Sequence, residues 1–103
     1  MRPFNEYPTL TINDLQIELA NTVKLRYNTY GEYAKALGDY EREHIIAYYN
    51  SPDDSHAAKT RFADQQTYTL HDDVVTFEQQ LAAFTVLYDY LTNLINWKIS
   101  GSE

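Results

Sequence analysis

The sequence predicts an all-α fold, an antiparallel helical hairpin or a three- to four-helix bundle with a long C-terminal heptad helix, expected to be oligomeric. Three observations predict it. Leu70, Val74, Phe77, Leu81, Phe84, Tyr88, Leu91 and Ile95 alternate steps of four and three without a miss, the spacing of one helical face. A looser stripe of the same kind runs through the first half. A strong break, Ser51-Pro52-Asp53-Asp54, falls near the middle of the chain, so the two halves become antiparallel neighbours.

Taken in order, residues 1–10 hold Pro3 and Pro8, which sit badly inside a helix. They read as an extended arm that Phe4 and Tyr7 could pin to a neighbouring surface. Thr11 precedes Asp14 by three residues, close to the capping-box pattern, and marks a helix start. Ile12, Leu15, Leu19, Val23, Tyr27, Tyr30, Ala34 and Leu37 follow as the expected apolar face, resuming at Ile45 and Tyr48. Gly31 and Gly38 fall inside this stretch. Each costs about 1 kcal/mol against alanine in a helix, so 12–50 is either one bent helix or two.

In the break, Ser51 could cap, Pro52 suits a first helical position, and Asp53 and Asp54 favour the positive helix end. From Pro52 to Tyr68 the pattern is thin: Ala57, Ala58, Phe62 and Ala63. It then sharpens into the Leu70–Ile95 row, which Leu87 and Leu94 widen. The helix is expected to end near Lys98, with Gly101 just beyond. The expected organisation is a single helical domain over 1–103, with an arm at 1–10 and helical halves at 12–50 and 52–99. Unbroken, the halves would be rods of roughly 58 and 70 Å. A bare pair cannot cover both apolar stripes, so the Leu70–Ile95 row is expected to be an assembly seam between chains.

The chain of 103 residues has a net charge of −7, ten tyrosines and no cysteine. Disulfides and thiolate metal sites are therefore excluded. Residues 1–50 carry five basic and seven acidic side chains, and 51–103 three and eight. Such a surface repels nucleic acid and anionic membrane and suits a basic protein partner. The N-terminus lacks the apolar core of a signal peptide, and no apolar run approaches the roughly 20 residues of a membrane span. A cytoplasmic protein without membrane contact is expected.

Catalytic and metal chemistry find little support. Cysteine nucleophiles are absent, and the serines lie near the central turn or the C-terminus without a nucleophile motif. Glu41-Arg42-Glu43-His44 makes one Glu-x-x-His, whereas di-iron bundles converge two such pairs with two further glutamates; Glu78 is followed three residues on by Leu81. The expectation is a solvated helix face, with His56 and His71 at the surface and no metal or cofactor. Gly31 and Gly38 are too far apart for a phosphate loop.

One polar stripe is distinctive. Lys24, Asn28, Gly31, Lys35, Gly38 and Arg42 keep the same four–three spacing, and Tyr27 flanks them. Lys24, Tyr27, Lys35 and Arg42 are thus a candidate nucleic-acid or partner face, with a ring able to stack on a base. Its alternative is the polar back of an amphipathic helix, interleaved with Glu32, Asp39, Glu41 and Glu43. Tyr27, Tyr30, Tyr33, Tyr40, Tyr48 and Tyr49 cannot all face one core, so some belong to the surface or to an interface.

Three short stretches carry a likeness: Asp14-Leu15-Gln16 with Glu18-Leu19, then Tyr48-Tyr49 before a small-residue turn, then the apolar helix ending Leu94-Ile95-Asn96-Trp97-Lys98. In this order they resemble phage recombination mediators of the UvsY type. The resemblance implies a helical oligomer that binds single-stranded DNA and helps load a recombinase. Lys24, Lys35 and Arg42 would then face the DNA, by charge alone. The net charge of −7 disfavours single-stranded DNA as the partner. The first functional expectation is therefore a non-catalytic acidic accessory protein, an assembly factor or an inhibitor of a nucleic-acid enzyme, acting by protein–protein binding and self-association. The mediator is the alternative.

Overall fold

A computed structural model of the chain describes residues 2–101. A 3-10 helix, Phe4–Thr9, leads into α1, Ile12–Tyr49, and α2 follows at His56–Ile99. The two long helices pack against each other as an all-α helical hairpin. Among the described residues no helix is long and apolar enough to cross a membrane.

The helix ends follow local chemistry. The Thr11 hydroxyl accepts a hydrogen bond from the Asp14 amide at 3.1 Å and caps α1. At α2 the cap is Ser55, whose Oγ accepts from the Ala58 amide at 3.1 Å. Ser51 and Pro52, expected to start that helix, lie instead in the connection, where Ser51 Oγ accepts from the Asp53 amide. Ser55 is the better placed cap because helical residues follow it directly. Gly101 adopts φ +76° just past α2, a left-handed conformation that glycine takes without a Cβ clash.

The chain packs as two compact units. The first joins Met1–Asn28 to Gln80–Glu103. Its core is Tyr7, Leu15, Leu87, Leu91 and Ile95, with Leu10, Leu19, Tyr90 and Leu94 packed around it. The N-terminal segment is a 3-10 turn with Pro8 inside, not an extended arm. A 3-10 turn tolerates proline because few of its amides have internal partners. Tyr7 is fully buried, and its hydroxyl accepts from the Arg2 amide at 3.0 Å. Phe4, Tyr7 and Tyr90 form a ring cluster with centroids 5.0 to 6.2 Å apart. The Tyr90 hydroxyl donates to the Phe4 carbonyl, and Arg2 Nε to Glu18 Oε1 at 2.8 Å.

The second unit is Thr29–Gln79. Its interior is thin: Thr29, Ala63, Thr67 and Val74 are buried, and Tyr33, Leu37, Tyr40, Tyr48, Leu70 and Phe77 are partly so. Thr67 Oγ1 donates to the Ala63 carbonyl at 2.7 Å, which satisfies the hydroxyl within its own helix. Polar side chains also join the helices here. His44 Nε2 lies 2.8 Å from Asp64 Oδ1, and Tyr48 Oη lies 2.7 Å from His56 Nδ1.

The row expected to be the inner face of α1 is corrected from Val23 to Ala34 and at Ile45, while Leu37 and Tyr48 are partly buried as expected. Val23, Tyr27 and Tyr30 are 42, 80 and 61% exposed, and Ala34 and Ile45 are also exposed. The residues covered instead are Leu15, Leu19, Thr22, Arg26, Thr29, Tyr33, Ala36 and Tyr40, in alternating steps of four and three. The reason is geometric. Each step of four advances about 40° around a helix of 3.6 residues per turn. Leu19, Val23 and Tyr27 make two in succession, so Tyr27 lies about 80° round from Leu19. A helix that stays against its partner keeps the 3.5-residue row, even where that row is polar. Thr22 Oγ1 donates to the Glu18 carbonyl at 2.8 Å, and the Arg26 guanidinium lies 4.7 Å from the Tyr88 ring centroid.

α1 runs through Gly31 and Gly38 unbroken, and a Cβ built at either meets nothing within 4 Å. Neither glycine is required by packing within the chain. Denaturant unfolding therefore separates two classes of variant. Gly31→Ala and Gly38→Ala each raise stability by about 1 kcal/mol, whereas Leu91→Ala, fully buried, lowers it by about 2–5 kcal/mol. A loss of stability on Gly31→Ala would mean that the helix needs its glycine.

Candidate interaction surface

The residues proposed from the sequence fall into two groups. The Leu70–Ile95 row is turned inward within a single chain. Val74, Leu91 and Ile95 are buried, and Leu70, Phe77, Leu81, Phe84 and Tyr88 are partly buried. Lys24, Tyr27, Lys35 and Arg42 are of the opposite kind, as all but Tyr27 are charged and Tyr27 is 80% exposed. Lys24 and Tyr27 belong to the first unit, Lys35 and Arg42 to the second. Arg42 has its charge engaged by Asp39 at 3.5 Å and Glu43 at 3.4 Å. Lys24 and Lys35 form no ion pair with the described residues.

Charge divides unevenly along the chain. Thr29–Gln79 holds ten acidic and four basic side chains, a net −6 out of the −7 of the whole. The same stretch holds all three histidines and six of the ten tyrosines. The tyrosines split as the helical row dictates. Tyr33, Tyr40 and Tyr48 point into the packing, whereas Tyr30, Tyr49 and Tyr68 stand out at 61, 75 and 64% exposure, alongside Ile45 and Ile46.

The inward tyrosines build a ring system with the histidines. The Tyr40 ring lies 5.6 Å from His44 and 5.4 Å from His71, centroid to centroid. Tyr48 lies 5.3 Å from Tyr49 and 5.5 Å from His56, and Lys59 Nζ sits 5.6 Å from its centroid. The unit also holds two open clefts. One, of about 310 Å³, is lined by Glu43, Ile46, Ala47, Asn50, Phe62, Gln66, Thr67 and Leu70. The other, of about 270 Å³, is lined by Tyr40, Asp64, Thr67, Tyr68 and His71. Among the described residues no three His, Asp or Glu side chains stand together as a metal-holding group. His44, read from the sequence beside Glu41, turns to Asp64 across the connection. That pairing is invisible in local spacing because it depends on how the two helices are aligned.

Partial burial and the nearby Glu78 carboxylate, in that order, hold the Tyr33 phenol above the usual tyrosine range. The folded chain thus keeps a proton that the unfolded chain releases, and stability must fall as pH rises through that interval.

The class these features define is a helical-hairpin protein whose distinctive chemistry lies on its surface, concentrated in one acidic, tyrosine-rich unit. No protein-family model, curated protein or solved structure matches the chain.

Absorbance titration of the phenols tests the Tyr33 environment. Tyr33→Phe removes a phenol that ionises above the usual tyrosine range in the folded state, and Glu78→Gln moves that step down towards the usual range. The Tyr33 contribution to stability is present at neutral pH and disappears above the usual tyrosine range. Identical titration curves for Glu78→Gln and the parent would refute the placement.

Proposed function

We propose that this chain is a non-catalytic accessory protein that acts by binding a basic protein, and that Thr29–Gln79 is the part that binds. The observation that carries the reading is the coincidence, in that stretch, of a net −6 charge with exposed Tyr30, Ile45, Ile46, Tyr49 and Tyr68. Exposed aromatic side chains supply contact area at little entropic cost, and the charge steers a partner of opposite sign and suppresses like-charged ones. Many exposed apolar residues beside a thin interior favour a protein whose surface is completed by another molecule. A basic face is typical of proteins that handle nucleic acid, which is the chemical link to an assembly factor or an inhibitor of a nucleic-acid enzyme. Self-association is part of the same reading.

The competing reading is a single-stranded-DNA-binding recombination mediator. It is favoured by the exposure of Tyr27 and by the open backbone at Gly31 and Gly38. It is opposed by the engagement of Arg42 with Asp39 and Glu43 and by the charge.

Two measurements decide between them. Affinity capture from the native host compares the parent with a variant carrying Glu32→Gln, Asp39→Asn, Glu41→Gln and Asp73→Asn. The parent is expected to retain basic proteins at low salt, and the neutralised variant to lose them; retention by both would overturn the reading. Anisotropy with a labelled oligothymidine tests the mediator. Tight binding that weakens steeply with salt and vanishes on Lys35→Glu with Arg42→Glu supports DNA, and no binding at low salt removes it.

A further inference from the structure

We infer that the cleft lined by Tyr40, Asp64, Thr67, Tyr68 and His71 seats an arginine side chain of the basic partner. The inference rests on the protein-binding reading above and names one anchor within it. The cleft has the parts that a guanidinium selects. Its walls are aromatic: the Tyr40 and His71 rings lie 5.4 Å apart, and Tyr68, which also lines the cleft, is 64% exposed. A planar cation is held over such faces by the ring quadrupole, and arginine more readily than lysine because its charge is spread over a flat, weakly hydrated group.

The cleft also contains a carboxylate. Asp64 Oδ1 is occupied by His44 Nε2 at 2.8 Å, while Oδ2 accepts nothing from the described residues. The histidine thus fixes the carboxylate and leaves one oxygen for a donor from outside. Thr67 closes the floor, and its hydroxyl is already spent on the Ala63 carbonyl. The Thr67 hydroxyl therefore does not compete for Oδ2, which stays open to a charge-assisted bond from the ligand. The volume of about 270 Å³ admits one long side chain and no folded element.

The chain already pairs cations with tyrosines elsewhere. Arg26 lies 4.7 Å from the Tyr88 centroid and Lys59 lies 5.6 Å from that of Tyr48. The Tyr40–Tyr68 cleft has the same kind of wall and no cation of the chain among its lining residues. Its unit carries the net −6 that draws a basic segment in. The histidine–aspartate pair, which serves the fold as a cross-helix bond, then also orients the acceptor.

The test is fluorescence anisotropy with a labelled peptide of alternating arginine and glycine, and with the same peptide carrying citrulline, the uncharged isostere. The full-length protein is expected to bind the arginine peptide and not the citrulline one. Tyr68→Ala and Asp64→Asn are each expected to weaken binding about tenfold. Asp72→Asn, which removes the same charge outside the cleft, is expected to change it less than about twofold. Tyr68 is exposed, so Tyr68→Ala should keep the parent melting curve; Asp64→Asn keeps an oxygen that can accept from His44, and its binding is read at a temperature where its own melting curve shows it folded. Equal weakening by Asp64→Asn and Asp72→Asn, with Tyr68→Ala unchanged, would overturn the cleft and leave an acidic surface that binds basic proteins. No binding of the arginine peptide at low salt would overturn both readings.

Discussion

The row of contact between two long helices is the constraint on which the rest depends. A helix that stays against its neighbour along its length presents positions spaced on average 3.5 residues apart. α2 satisfies this with apolar residues from Leu70 to Ile95. α1 satisfies it with Leu15 and Leu19, then with Thr22, Arg26, Thr29 and Tyr33. Within this polar stretch the Thr22 hydroxyl is turned back to its own helix and the Arg26 guanidinium is laid against the Tyr88 ring. Leaving such groups unpaired in the interior would cost more than the pairing contributes.

This arrangement displaces apolar residues to the surface. Val23, Tyr27 and Tyr30 lie on a row that drifts away from α2, and the closing turns of α1 expose Ile45, Ile46 and Tyr49. Scattered exposed apolar residues are ordinary. Here they accompany small interiors, which in the unit Thr29–Gln79 consist largely of threonine, alanine and partly covered tyrosine. The unit formed by the two chain termini differs: Tyr7, Leu15, Leu87, Leu91 and Ile95 make a true core, sealed by the Phe4–Tyr7–Tyr90 rings. One unit carries apolar packing and almost no net charge, and the other carries the charge and the cross-helix polar bonds.

Histidine has a double role in this scheme. Each of the three contacts a tyrosine ring, and two reach an oxygen across the connection between the helices, His44 at Asp64 and His56 at Tyr48. Such bonds specify alignment because only one register brings the partners together. They also leave aromatic faces and carboxylate oxygens at the surface, which a solely apolar seam would not.

The sequence by itself determined the helical class, the apolar row of α2, the Thr11 cap and the terminal role of Gly101. All of these follow from local spacing or local hydrogen bonding, which a sequence displays directly. It did not determine which face of α1 turns inward, because a run of fours and the true 3.5-residue row share Leu15 and Leu19 and part only beyond them. It also did not reveal the Ser55 cap or the 3-10 turn around Pro8, where two local signals compete and packing chooses. Of the candidate surface, the charge of Lys24, Lys35 and Arg42 was legible, but the pairing of Arg42 and the Tyr40–Asp64–Tyr68–His71 cleft were not. Those depend on helix alignment across the connection, a distance of about 20 residues in sequence and of one hydrogen bond in space. Only the tertiary structure decides that register, because it is set by the sum of all cross-helix contacts and not by any one stretch of chain.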